Sequence, residues 1–494
     1  MAGESKSLDN SRDPEIATSK ARKGWKPYHT AWVWLFLAWM FLYIDRSITG
    51  PVVAWMIDNN VAFMVDAPMP HALGGIIGSM FFAGYMLTQF PAGYLGDKFG
   101  RKTLVVISTA WAGVATFISA LTRSLNAFVA ARVLTGLGEG AYYSNDRALV
   151  SEVTPKEKKG LGMGIVFVGL SAGLTIATIA TPYILDLAAE VWGNEIAWFV
   201  PFLLFSLPTV LVAMGVMRFV RPPGERKQRF LPALARLLIF TGIFMAIIMT
   251  TFTLTLWQGW GPIEQALAVV LVALILVAVI YRLLGQKSAA VLKDGNLVLM
   301  YVSAVPILYT LWFFGFWSLL VVSEASDIGL SGAAIYAGLF GVANAIGYPL
   351  GGKVCDHTAV RGSGRKWPYI ALCAMVGGLV LFLAVYLWTG GNDVFVLGIT
   401  MFSIGIPFAA MQTVHMTLTS DLAPKEMMGQ AFGMWNLVAE IGAVLSPVVA
   451  GTLRDITGDW TLSVVVTGIL LFISASIVLM VRERPAAEAI LQPE

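Results

Sequence analysis

The sequence is short of charge. Asp, Glu, Lys and Arg make up 13% of its 494 residues, where soluble domains carry roughly 25%. Hydrophobic residues reach 57% and the mean hydropathy is +0.74. A water-soluble fold of this size could not cover its apolar surface with so few charges, so hydrocarbon is the expected solvent. Cysteine is scarce too. Cys355 and Cys373 have no metal-ligand spacing and read as apolar fillers. A net charge of +3 without a basic tract interleaved with aromatics excludes a nucleic-acid surface. No HExxH helix, no P-loop and no Gly-x-Ser-x-Gly nucleophile elbow is expected, and neither an enzyme nor a cofactor or metal. Residues 1–29 place Lys6, Arg12, Lys20, Arg22, Lys23 and Lys26 ahead of any apolar run, which reads as a cytosolic tail rather than a signal peptide. The absence of Asn-x-Ser/Thr sequons, with short outer loops, points to a bacterial inner (plasma) membrane.

Long apolar runs are what the chain has instead. They fall at 30–57, 72–96, 103–122, 126–147, 161–186, 197–220, 231–256, 262–284, 296–322, 330–353, 367–390, 394–418, 427–450 and 459–482. At ~20 apolar residues per spanning helix, that is about fourteen spans. None alternates polar and apolar residues as a transmembrane strand does, so an all-α polytopic membrane protein is expected. Lys and Arg collect in alternate loops, among them Lys98, Arg101, Lys102, Lys156, Lys158, Arg226, Lys293, Arg365 and Lys425. Asp58, Asp66, Asp186, Glu190, Glu195 and Asp327 lie in the others. By the positive-inside rule both termini are cytoplasmic.

The chain also repeats itself. Residues 151–164 read SEVTPKEKKGLGMG and residues 420–433 read SDLAPKEMMGQAFG. The shared residues are polar or helix-breaking, so common oiliness does not explain them. Two six-helix bundles joined by an inserted pair of helices account for the pattern. The expected organisation is a cytoplasmic tail (1–29), an N-terminal bundle (30–220), a linker with a two-helix hairpin (221–295), a C-terminal bundle (296–482) and a second tail (483–494).

The second inner loop reads Gly93-Tyr-Leu-Gly-Asp97-Lys-Phe-Gly100-Arg101-Lys, and the second half holds a decayed copy, Gly352-Lys-Val-Cys-Asp356. With the repeat and the span count, this resembles the major facilitator superfamily over nearly the whole chain. The resemblance implies alternating access, with two bundles rocking about a midplane site. Gly93, Asp97, Gly100, Arg101 and Asp356 are then gating residues. Asp97, beside Arg101 and near Arg147 at the inner end of the fourth span, is expected to latch the inner gate. A narrower resemblance, to the anion:cation symporter branch, rests on Tyr43, Asp45, Arg46, Tyr85, Arg132 and Glu139. It implies that Arg46 holds a substrate carboxylate and that acids on the first and fourth spans carry protons.

The charges can also be weighed on their own physics. An ionisable residue at the bilayer centre costs ~2.5–3.5 kcal/mol even on a lenient scale, and most spans here carry none. The exceptions concentrate in the first half, at Asp45, Arg46, Arg132 and Glu139, the last two sharing one helical face. By the repeat, Arg132 and Glu139 correspond to Met401 and Phe408, so the fold element itself needs neither charge. A buried network that only fixes packing is the competing reading. Glu440 is the remaining mid-span acid, with Asn436 one turn earlier, and helix–helix hydrogen bonding explains both equally well. Trp312 and Trp317 are candidate pocket walls. The glycine runs at 136–140 and 160–164 follow no strand and read as close helix packing, and His415 reads as a satisfied histidine.

The expected function is proton-coupled import of a small organic anion, a carboxylate such as a sugar acid, aromatic acid or dicarboxylate, by a monomer in the bilayer. Arg46 would bind it with Tyr43, Tyr85, Asn436 and Trp317. Asp45, Glu139, Arg132 and Glu440 would handle the protons. A proton-driven exporter of organic anions or drugs is the rival, but the fifth span lacks the Gly-Pro-x-x-Gly-Gly pattern of such antiporters. A nutrient sensor would usually carry a long soluble tail, and few residues follow Arg484.

Overall fold

The computed structural model describes residues 25–155, 158–222, 229–284, 292–361, 363–424 and 427–483. The rest of both tails and the Lys156-Glu157 and Lys425-Glu426 pairs of the repeat lie outside them. The described residues form helices and no strand. The first span is two helices, α1 (Pro27–Ser47) and α2 (Thr49–Asp58), broken at Ile48 just before Gly50-Pro51. The first half continues with α3 (Pro70–Phe99), α4 (Arg101–Leu121), α5 (Leu125–Val153), α6 (Lys159–Trp192), the short α7 (Asn194–Ala197) and α8 (Val200–Phe219). After the inserted α9 (Phe230–Trp257) and α10 (Pro262–Leu284) come α11 (Gly295–Ser326), α12 (Gly329–Val360), α13 (Lys366–Trp388), α14 (Val394–Leu422), α15 (Met428–Thr457) and α16 (Thr461–Leu479).

Among the described residues, thirteen segments are long and apolar enough to cross a membrane. The fourteenth span, α5, has the length, 29 residues, but contains Arg132, Glu139, Asp146 and Arg147. Packing against α3 and α4 keeps the first three of these fully buried, so its charges meet protein rather than lipid.

The repeat is visible in the packing. α5 and α14 match end for end, and each opens on a side-chain cap at the matched position, Ser124 to the Ala127 amide and Asp393 to the Phe395 and Val396 amides. In the first half α1 packs on α6 and α8, α3 on α5, and α4 on α5 and α8. In the second, α11 packs on α15 and α16, α12 on α14, and α13 on α14 and α16. The halves meet along two seams, α3 with α15 and α6 with α12. At the first seam, a Cβ on Gly75 would overlap the Pro447 carbonyl and one on Gly451 the His71 carbonyl, so only glycine permits this approach. The inserted hairpin packs outside, α9 on α3 and α5, α10 on α3 and α15, with Leu238, Ile239, Leu267, Leu271 and Ile275 exposed.

The two ends of the interface differ. At the face opposite the termini, the His71 ring sits between two carboxylates of the other half, 2.6 Å from Asp455 Oδ1 and 3.3 Å from Glu324 Oε1. Arg454 and the Trp460 indole hold the other oxygen of Glu324, at 2.8 and 3.0 Å. Met69 gives α3 no side-chain cap. Instead the Ala72 amide donates to Asp455 Oδ2 at 2.8 Å, so one half caps the other's helix. Asp186 accepts from Ser331 across the second seam.

At the terminal face the ion pairs stay within each half. Arg101 bridges Asp97 at 2.8 Å and Glu152 at 3.3 Å, and Arg365 holds Asp421, the repeat partner of Glu152. Gly164, Gly429 and Gly433, near the starts of α6 and α15, face nothing within 4 Å. The described halves are thus joined by side chains at the far face, while the ion pairs of the terminal face cross neither seam.

The expected latch differs in its members. Glu152 rather than Arg147 completes the Asp97–Arg101 cluster, because Arg147 is turned into the bundle. Asp356 is exposed and makes no ion pair among the described residues. Gly100 adopts φ of +100°, a conformation that only glycine takes cheaply. Gly96 lies so close to the Asn145 side chain that a Cβ would overlap it, while Gly93 has 3.7 Å of room to Ser144.

A His71→Cys/Asp455→Cys pair, with Cys355 and Cys373 replaced by alanine, is expected to cross-link under mild oxidation and to stop turnover until reduced. Protease cleavage in the 223–228 linker followed by gel electrophoresis reads the link. Failure to cross-link would mean that the far face is not closed in this way.

Candidate functional site

Ile48 ends α1 just after the two charges of the first span, about midway through the bundle. Neighbouring residues on a helix diverge by about 100°, and these two point to different layers. Arg46 faces the interface between the halves. Its Nε and Nη2 donate to Glu139 Oε2 at 3.1 and 2.7 Å. Its guanidinium lies 4.5 Å from the Tyr43 ring, 4.6 Å from Tyr85 and 5.6 Å from Phe81. Tyr43 stacks in turn on Trp312 of α11, centroids 5.9 Å apart.

Asp45 points back into the first half. It is fully buried, and neither carboxylate oxygen makes a well-aligned hydrogen bond, although the Thr116 and Thr209 hydroxyls and the charges of Arg132 and Glu139 act on it. Arg132 is buried beside it. Its Nη2 donates to Ser119 at 2.6 Å and Thr135 at 3.0 Å, and its Nη1 to Thr49 and the Asp45 carbonyl at 3.4 Å. Arg132 and Glu139 share a face of α5 yet reach different partners. Two layers result, with Arg46 and Glu139 at the interface and Asp45 and Arg132 behind them.

The second half answers with Asn436 and Glu440 on α15. Asn436 Nδ2 donates to Gln89 Oε1 across the seam at 2.7 Å and to Glu440 Oε1 at 3.4 Å. Glu440 Oε2 and Gln89 Nε2 are buried without a hydrogen-bond partner. Gln89 is absent from the candidates drawn from the sequence, although a polar side chain one turn beyond Tyr85 in an apolar span was a usable signal. Trp317 lies elsewhere. Its indole donates to the Pro447 carbonyl at 2.9 Å, and its ring packs against His71 and Trp460 near the far face. Trp312 occupies the place by Tyr43.

The glycines of α5 make these approaches possible. A Cβ on Gly136, Gly138 or Gly140 would overlap Phe81, Trp111 or Tyr85 respectively, so this run serves packing rather than phosphate binding. Gly169-Leu-Ser-Ala-Gly173 spells a hydrolase elbow, but it lies inside α6 with both glycines pressed on α1. A nucleophile elbow requires a strand-to-helix turn. His415 is buried and satisfied by Ser303 at 2.8 Å and Trp435 at 3.0 Å. No cluster of metal-ligating side chains occurs among the described residues.

The sequence profile described as Major Facilitator Superfamily matches residues 35–333 and 307–493. "Probable anion transporter 6, chloroplastic" of Arabidopsis thaliana is 27% identical, a match spanning 35% of this chain and only 34% of that protein. "Probable galactarate/D-glucarate transporter GudP" of Bacillus subtilis (strain 168) is 24% identical over 90% of this chain and 88% of its own. The solved structure of a D-xylose-proton symporter superposes with a TM-score of 0.69 at 14% identity, covering 93% of this chain and 99% of that one, a likeness of fold alone.

Removing one charge of a buried pair strands the other, at a cost of about 3–5 kcal/mol. Arg132→Met is therefore expected to lower the thermal midpoint of detergent-purified protein strongly. Asp45→Asn combined with Arg132→Met is expected to recover most of the loss. Additive losses in that cycle would show that the two side chains do not interact.

Proposed function

The chain belongs to the major facilitator superfamily, as a membrane transporter and not an enzyme, and we propose that it imports a small organic anion together with protons. The observation that carries this reading is the pair of hydrogen bonds from Arg46 to Glu139. They occupy the Nε–Nη2 edge of the guanidinium, one of the two edges on which a substrate carboxylate can bind bidentately. Substrate and the Glu139 carboxylate therefore compete for one cation. A proton on Glu139 removes the competitor, so each ligand improves the other's affinity by the same factor.

The remaining residues take roles around that exchange. Tyr43, Tyr85, Asn436 and Gln89 surround the bound anion, and Asp45 with Arg132 behind it offers a second proton position. Glu440 is the acid on the opposite wall. The bundles 30–220 and 296–482 rock about this site, with α9 and α10 riding outside them. Lys and Arg enrichment at the terminal face supports a cytoplasmic assignment for that face, in a bacterial inner membrane. A loaded and neutralised site crosses without exposing a bare charge to hydrocarbon, and the gradient supplies ~1.4 kcal/mol per pH unit for each proton moved. The relatives named as anion and sugar-acid transporters support a carboxylate as cargo.

In proteoliposomes, Glu139→Gln is expected to keep counterflow of D-glucarate or another accepted carboxylate while losing accumulation driven by an inward proton gradient. Gradient-driven accumulation by that variant would remove Glu139 from coupling and leave Asp45 as the next position to test. Arg46→Lys is expected to lose most of the affinity, because an ammonium cannot reproduce the fork. Uptake near the unsubstituted level would remove Arg46 from binding.

A further inference from the structure

Arg147 takes no part in the pairs of the terminal face or in the Arg46 layer. It lies on α5 eight residues beyond Glu139, about 12 Å nearer the terminal face. Its guanidinium rests 3.5 Å over the Phe167 ring of α6, with Tyr143 at 5.0 Å and Trp39 at 5.5 Å. Among the described residues, the acid within ion-pair reach of it is its sequence neighbour. Nε stands 3.5 Å from Asp146 Oδ1, long for a charge-assisted bond, and the other oxygen of Asp146 takes the Trp39 indole at 2.5 Å. Nη2 is buried with no hydrogen-bond partner, and the outer edge of the fork is left unused by the protein.

Position separates Arg147 from the other interior charges. Its side chain is 23% exposed, against 3% for Arg46 and 0% for Glu139 and Asp146. The second half stands opposite, with Tyr348 of α12 meeting the Phe167 ring at 5.9 Å and donating its hydroxyl to Gln412 Oε1 at 2.9 Å. Ring contacts also lead inward. Arg147 lies against Trp39, Trp39 against Tyr43 at 5.5 Å, and Tyr43 against Arg46 at 4.5 Å. A pinned guanidinium with one face on an aromatic ring and a free edge is a carboxylate receptor. Its neighbouring acid, Asp146, stands at Nε and not across that edge.

We propose that Arg147 is a second anion site, between the Arg46 site and open water at the terminal face, which holds the carboxylate of the transported anion in transit. The identity of that anion rests on the function proposed above; the existence of the site does not. Because nothing must be protonated to clear the Nη edge, this site takes a carboxylate without a proton. Tyr348 and Gln412 then contact the rest of the molecule, so each half grips the departing anion.

The test is arginine modification of the purified full-length protein by phenylglyoxal, read at each arginine by peptide mass spectrometry, with benzoate and D-glucarate as protecting probes. Arg147 is expected to react in the absence of anion, and Arg46, covered by Glu139, to react far more slowly. With a Kd near 1 mM, about 10 mM probe should slow labelling of Arg147 about tenfold. The same protection is expected in Arg46→Gln and in Glu139→Gln, so a misfolded single variant does not decide the matter. An unreactive Arg147, labelling that neither probe slows, or protection lost in both folded variants would overturn the second site. D-glucarate uptake by unsubstituted proteoliposomes is measured in parallel. Protection without uptake keeps the site and rejects the cargo, whereas uptake without protection rejects the site.

Discussion

A guanidinium cannot release its proton, so one held in the middle of a membrane-embedded bundle must always stand beside an anion. Arg46 imposes that demand, and much of the first half is arranged to meet it. Glu139 answers at 2.7 Å across the contact of α1 with α5, and α5 is seated closely on α3 because Gly136 and Gly140 carry no side chain. Tyr43, Tyr85 and Phe81 cover the rest of the cation. In the matched seats of α14 stand Met401 and Phe408, both fully buried, and no such arrangement forms. Duplication supplied the frame, and only one copy was loaded with charge.

How much of this could be read from the sequence follows from the distance over which each feature is determined. Helix positions depend on about 20 consecutive residues, and the runs at 262–284 and 394–418 end within a few residues of α10 and α14. The repeat was legible because its residues are polar. The partnership of Arg46 was harder. Glu139 lies 93 residues away, and helical periodicity places it on the face of Arg132, which instead reaches toward α1, α2 and α4. Arg147 looked like a member of the terminal latch because it lies near the end of α5, yet its direction is set by packing on Phe167. The His71 contacts, 384 and 253 residues distant, left no local trace at all.

The two seams give the molecule its asymmetry along the membrane normal. The His71 ring between two carboxylates, a helix terminus and paired glycines join the halves at the far face. At the other face each half satisfies its own charges, with Arg101–Glu152 and Arg365–Asp421 as repeat counterparts. The hairpin adds a constraint, since α10 touches both α3 and α15. Any rocking about the first seam makes α10 slide against one half while it follows the other, and its aliphatic surface suits sliding better than a hydrogen-bonded contact would.

The cap that Asp455 lends to α3 has a kinetic side. Loss of an N-cap costs about 0.5–2 kcal/mol, which weights the closed far face over the open one by about 2 to 30 when nothing else changes. The cap therefore favours the closed far face by that factor. In a cycle of import, the loaded protein moves toward that closed state, while the unloaded protein must climb away from it and expose the first turn of α3 to water. Asp455 thus adds a cost to opening the far face while lying far from the Arg46–Glu139 pair.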